Sequence, residues 1–150
     1  MSDTNYWIWI FGEIKRYREV LKLKTMAFSK GSWARVSAMA PGDQAILYVS
    51  RNAFHNPTRD RVRLAGKGQI TSKPSRDESS EIAGKVFDVA VRFRQTLLLP
   101  ERTGPEMGPL VRKLEYVKNP KPGVWGVYFR NSPIKITRRD YEILEKAILD

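Results

Sequence analysis

The feature that most limits how this chain can fold is its opening run Tyr6-Trp7-Ile8-Trp9-Ile10-Phe11, six aromatic and β-branched residues with no breaker among them. Such a run reads as a buried strand, and Gly12 ends it. A buried strand needs a core, and the chain can build one: 150 residues, 41% apolar and 11% aromatic, suit a single domain over residues 1–150.

The segments that follow alternate between helical and strand-like spacing. Over residues 13–24, Ile14, Tyr17, Val20, Leu21 and Leu23 recur at helical intervals with Lys and Arg between them, which predicts an amphipathic helix with a basic outer face. Residues 26–31 read as a loop, and Ser32 is placed to cap a short helix through Trp33, Val36 and Met39. Pro41-Gly42-Asp43 makes a tight turn into a second strand over residues 45–49, and the polar segment 50–60 reads as an exposed hairpin loop. Residues 62–72 alternate and carry Gly66 and Gly68, which suits a bulged or strongly bent strand and points to a barrel. Residues 73–84, rich in Ser, Asp and Glu, read as a loop, whereas residues 86–99 set Val86, Asp88, Ala90, Arg92 and Arg94 in alternation with Phe87, Val89, Val91 and Phe93 and read as a long strand.

The last third contains a Gly/Pro-rich connection over residues 100–109, a short helix over 110–117, a turn over 119–123 and a strand over 124–129. Thr137, with Asp140 three residues later, resembles a capping box ahead of a final helix whose apolar face is Tyr141, Ile143, Leu144, Ala147 and Ile148. No repeat or low-complexity linker divides the chain. The element order is α+β and strand-rich, and a small curved β-barrel or mixed sheet decorated with short helices fits it.

Charge narrows the function classes. Lys and Arg total 27 against 16 acidic residues, a formal net charge of +11, so a polyanion is the natural partner. Each phosphate neutralised by such a surface releases condensed counterions, which gives nucleic-acid affinity without a special motif. The absence of cysteine excludes disulfides, zinc-thiolate sites and thiol nucleophiles, and favours a cytoplasmic location. Residues 1–5 are polar and no apolar stretch reaches the roughly 20 residues of a membrane span, so neither a signal peptide nor a membrane partner is expected. The lone His55 lacks a neighbouring nucleophile and orienting carboxylate, and no spaced His or carboxylate cluster suggests a metal. Gly66-Lys67-Gly68 is too short for a phosphate-cradling Walker loop. A binding protein without catalytic residues, metal or cofactor is therefore expected.

The order of segments resembles the EVE domain, a member of the PUA-like superfamily that also holds the YTH readers of methylated adenine and is related to ASCH domains. The resemblance covers nearly the whole chain. It is carried by Tyr6-Trp7-Ile8, by the helix before Pro41-Gly42-Asp43 with the strand after it, and by Leu114 to Asn119. The closing stretch also carries it, where Phe129-Arg130-Asn131-Ser132 leads through Ile134 and Ile136 into Thr137. The resemblance implies a PUA-like fold and a pocket for a modified base, in particular modified cytosine in DNA, or modified RNA. Met26 stands where many EVE and YTH members have the tryptophan wall of that pocket, and Trp9, Phe28 or Trp33 can replace it by stacking.

The base pocket expected from this reading comprises Trp9, Phe28, Ser29, Tyr48, Ser50, Trp125 and Arg130. Trp125 is the stacking candidate with open backbone beside it, since Gly123 and Gly126 flank it. Lys30, Arg51, Arg61, Arg63, Lys67, Arg92 and Arg94 are expected on phosphates, as a stripe along neighbouring strands. The alternative is a non-catalytic accessory domain whose basic surface contacts a partner enzyme of a nucleic-acid-processing system.

Overall fold

Strand alternation builds a curled sheet with a separate core on each face. The computed structural model describes residues 4–76 and 80–150. Its strands are β1 (Tyr6–Phe11), β2 (Thr25–Phe28), β3 (Gln44–Val49), β4 (Arg63–Ile70), β5 (Ser80–Ile82), β6 (Lys85–Phe87), β7 (Val89–Leu98) and β8 (Ile134–Ile136). Its helices are α1 (Ile14–Leu23), α2 (Trp33–Val36) and α3 (Arg138–Leu149), with 3-10 helices at Lys30–Ser32, Gly108–Lys113 and Trp125–Phe129. Six strands form one sheet in the order β2-β7-β4-β3-β1-β8, and β5 and β6 form a small hairpin apart from it. β1 and β3 run parallel, while the other pairings in the main sheet are antiparallel.

The two-residue period of β1 assigns its side chains to the two cores. Trp7, Trp9 and Phe11 enter a core closed by Tyr17 and Val20 of α1, Met26 and Phe28 of β2, and Val89, Val91 and Phe93 of β7. Ile8 enters the other, with Ile46, Tyr48 and Leu64 covered by Leu144 and Ile148 of α3 and by Met107, Val111 and Phe129. β3 divides in the same way, since Leu47 belongs to the first core and Tyr48 to the second.

Curvature enters at β4, as its two glycines suggest. Its register slips against β3 between Leu47 and Tyr48, and against β7 between Lys67 and Gly68. Gly66 has φ of +153°, and a Cβ there would sit 2.2 Å from the Leu97 carbonyl oxygen, so only glycine lets the two strands cross this closely. The resulting architecture is mixed α+β: a half-barrel sheet with few short helices.

Several local expectations are corrected. Residues 26–28, read as part of a loop over 26–31, join Thr25 in β2 because β7 offers them an antiparallel partner, Met26 opposite Val91. Residues 124–129, read as a strand, coil into a 3-10 helix, with Val127 N–H donating to Val124 O at 3.2 Å. The helix expected over 110–117 is a 3-10 helix at Gly108–Lys113. Segment 73–84 contains β5, while its residues 77–79 lie outside the described residues. Ser32 makes no side-chain cap bond to α2; its Oγ lies 3.3 Å from Ser29 Oγ instead. Thr137 does cap α3, accepting from Asp140 N–H at 3.1 Å, but Asp140 does not close the capping box. Its buried carboxylate turns to the preceding segment and accepts from the Glu115 and Tyr116 amides at 2.8 and 2.9 Å.

Candidate functional site

On the α3 side of the sheet, where β3 ends, a cavity of about 310 Å³ opens between Tyr48, Arg51, Arg61, Val62, Glu106, Gly108, Gly123, Trp125 and Gly126. That volume lies at the lower end of the range for small-ligand pockets. Phe129 organises its aromatic wall. Tyr48 stacks on the Phe129 ring at 5.2 Å between centroids and 22° between planes, and Trp125 meets the same ring edge-on at 5.9 Å and 76°. Trp125 is half-buried, so part of its indole faces solvent. The 3-10 helix that presents it is held by the Tyr116 hydroxyl, which donates to the Tyr128 carbonyl, and by the Asn119 amide, which donates to the Tyr128 hydroxyl, both at 3.0 Å. A Cβ on Gly108 would stand 4.0 Å from Trp125 Cζ2, so glycine there leaves the edge of the indole open.

The polar rim has two sources. Arg51 and Arg61 come from the ordered connection between β3 and β4, both exposed. That connection is clamped by buried Asp60, which accepts from Arg102 Nε at 3.0 Å while the Arg102 guanidinium lies 4.2 Å from the Phe54 ring. Arg61 donates to the Thr58 and Asp60 carbonyls, each at 3.3 Å, which fixes where its charge sits. Glu106 comes from the segment ahead of the Gly108–Lys113 helix, bridged antiparallel to Arg63. The Tyr48 hydroxyl is pushed well above the ordinary tyrosine range by burial, so it is a donor throughout the neutral and mildly alkaline range.

Four of the expected site residues, Tyr48, Trp125, Arg51 and Arg61, therefore meet at one cavity. The others lie elsewhere. Trp9 and Phe28 are 0% and 3% exposed in the opposite core, where the Trp9 ring meets Phe28 and Phe93 edge-on. No single pocket can hold both Trp9 and Tyr48, because they face opposite sides of the sheet. Ser29 is exposed beside Ser32, and Ser50 is half-buried with its amide donating to Phe11 O at 3.0 Å. Arg130 caps the Trp125–Phe129 helix and is exposed, outside the cavity lining.

The expected phosphate stripe is dispersed as well. Arg63 donates to Gly104 O at 2.6 Å, Lys67 pairs with Glu145 of α3 at 2.7 Å, and Arg94 donates to the Gln69 amide oxygen. Arg92 is exposed on β7. The side chain of Lys30 lies outside the described residues. Met26, at the position of the expected pocket tryptophan, is wholly buried. Nearby, a depression of about 370 Å³ is lined by Trp33, Arg76, Asp88 and Val89, with the Arg76 guanidinium 5.0 Å from the Trp33 ring.

Sequence reasoning missed Glu106, Gly108 and Val62 as part of this cavity. Glu106 and Gly108 sit in a connection whose only visible signal is its Gly and Pro content, and nothing there marks a carboxylate as part of a pocket. Among the described residues no group of three or more His, Cys, Asp or Glu is arranged to hold a metal, and no helix is long and apolar enough to cross a membrane.

No protein-family model matches the chain. No curated protein matches it by sequence either. Solved structures do. The YTH domain of Zygosaccharomyces rouxii MRB1, in complex with N6-methyladenosine RNA, superposes with a TM-score of 0.67 at 14% identity, over 99% of this chain and 86% of that one. The Pho92 YTH domain in complex with m6A gives 0.62 at 13% identity, over 97% and 85% of the two chains. Rpa0253 from Rhodopseudomonas palustris gives 0.61 at 18% identity, over 97% and 93%. The half-barrel sheet with its few short helices is thus the fold of these YTH domains, over essentially the full length of this chain.

Proposed function

We propose that this protein is an RNA-binding reader, which takes one unpaired base into the cavity between Tyr48 and Trp125 while Arg51 and Arg61 hold the flanking phosphates. The observation that carries this reading is the meeting of a half-exposed tryptophan, a buried tyrosine and two exposed arginines at one cavity. Aromatic stacking on a base contributes roughly 1–3 kcal/mol, and phosphate contacts add a sequence-blind, salt-sensitive term. The net charge of +11 supplies the second. Structures of the same fold in complex with N6-methyladenosine RNA support RNA as the partner, and the EVE-like segment order supports a modified base. The reading is one of binding without catalysis.

The test is a titration of labelled single-stranded RNA and DNA heptamers at two salt concentrations, by fluorescence anisotropy. Trp125→Ala should weaken RNA binding about 5- to 150-fold, matching the loss of one stacked base. Raising salt should weaken what remains, with a slope near −0.7 per phosphate contacted. Trp33→Ala, at the other depression, should leave the affinity within about twofold of the parent. Trp125→Ala binding as tightly as the parent would sink the pocket assignment, and binding that ignores salt would remove the role of the basic rim.

A further inference from the structure

The cavity holds a carboxylate where a purely aromatic and basic pocket would have none. Glu106 is rigidly placed: the Leu64 amide donates to Pro105 O at 3.0 Å and the Met107 amide donates to Val62 O at 2.8 Å, so the backbone on both sides of Glu106 is pinned to the start of β4. Among the described residues its carboxylate enters no ion pair. Arg63, directly opposite in the bridge, spends its guanidinium on Gly104 O, and Arg51 and Arg61 share the cavity lining without closing on Glu106. A carboxylate that lines the same cavity as two arginines and pairs with neither is available to a ligand.

A carboxylate offers only acceptors, two oxygens side by side. We infer that Glu106 makes the cavity selective for guanine, the one standard base whose Watson–Crick edge presents two adjacent N–H donors, N1–H and N2–H₂. Adenine and cytosine each set one amino donor beside a ring nitrogen lone pair, which would face the second carboxylate oxygen at a repulsive distance. N6-methyladenine keeps one N–H and the same lone pair. Uracil flanks its single N–H with two carbonyls. Guanine also carries O6 next to N1, an acceptor that the Tyr48 hydroxyl, kept protonated by burial, is suited to satisfy. Stacking against Trp125 would then supply affinity without choosing among bases, and the carboxylate would supply the choice.

This inference rests on the reader assignment for the same cavity, so its test must separate the two. Oligouridine heptamers with one central guanine, inosine, adenine, N6-methyladenine or cytosine, and an all-uridine control, are titrated against the parent, Glu106→Gln and Trp125→Ala. The parent should bind the guanine heptamer at least about tenfold tighter than the adenine ones, with inosine between them because it lacks the 2-amino group. Glu106 is exposed, so its amide variant should fold as the parent does. A carboxamide presents one acceptor and one donor, complementary to adenine, so Glu106→Gln should erase the guanine preference and shift it toward adenine. A parent preference for adenine, N6-methyladenine or cytosine overturns the inference, as does a guanine preference that Glu106→Gln leaves intact. If Trp125→Ala still weakens binding in those cases, the pocket stands and only its specificity is misread. If Trp125→Ala changes nothing, the pocket itself falls.

Discussion

Asp140 shows how one side chain here does the work of a joint. It sits in the first turn of α3, wholly buried, and its two carboxylate oxygens take the amides of Glu115 and Tyr116, joining the last helix to the segment that carries the Tyr116–Tyr128 contact. Removing it strands two backbone donors. Asp140→Ala should therefore cost about 2–4 kcal/mol of unfolding free energy in urea titration, and Asp140→Asn, which keeps one acceptor, about half of that. No measurable loss in the alanine variant would mean that water reaches those amides. Phe129 plays the corresponding part for the cavity. One ring orients both Tyr48 and Trp125, so the aromatic wall depends on a residue that itself lies in the core.

At the scale of elements, the connection over residues 100–107 is held to the sheet at close range. A Cβ on Gly104 would fall 1.8 Å from the Leu64 carbonyl oxygen, so the loop can lie against β4 only with glycine at that point. Gly104→Ala should lift this strap, cost at least about 2 kcal/mol, and speed hydrogen exchange at the Leu64 and Met107 amides, whose bonds to Pro105 O and Val62 O hold it down. Gly126→Ala, with nothing within 4 Å of its new methyl group, should change stability by less than about 0.5 kcal/mol. This dependence on tertiary contact also marks how far the sequence could be read. β1, α1, the bulged β4, β7 and α3 were legible because each is long enough to repeat a period of two or 3.6. β2 and the Trp125–Phe129 helix were not, because four- and five-residue pieces take their form from what they pair with. In the site, the residue types Tyr48, Trp125, Arg51 and Arg61 were recognisable. That Trp9 and Tyr48 face opposite ways is a matter of strand facing, which composition does not carry, and Glu106 lay in a stretch with no pattern at all.

The whole molecule keeps several phenols out of water, and this gives it a defined response to alkali. Burial, helped by the nearby Glu101 carboxylate, pushes the Tyr17 hydroxyl up to about 12. Burial first, then Glu145 and Tyr6, pushes Tyr141 higher, and Tyr48 rises by burial alone. In the unfolded chain these groups titrate near pH 10, so the stability they contribute is complete below that pH and is lost as pH climbs through the folded values. The urea midpoint should therefore decline above about pH 10, and Tyr17→Phe should make that decline shallower; an unchanged slope would show that Tyr17 ionises freely. The sheet that separates the two cores has a further consequence. It acts as a party wall between two rooms: one is filled by Trp9, Phe28 and Phe93, while the other opens beside Tyr48 and Trp125 into the cavity. A substitution at Trp9 or Phe93 therefore acts through packing on its own side, and one at Tyr48 or Trp125 acts on the cavity. The wall lets the lining of the cavity be altered without rebuilding the room behind it.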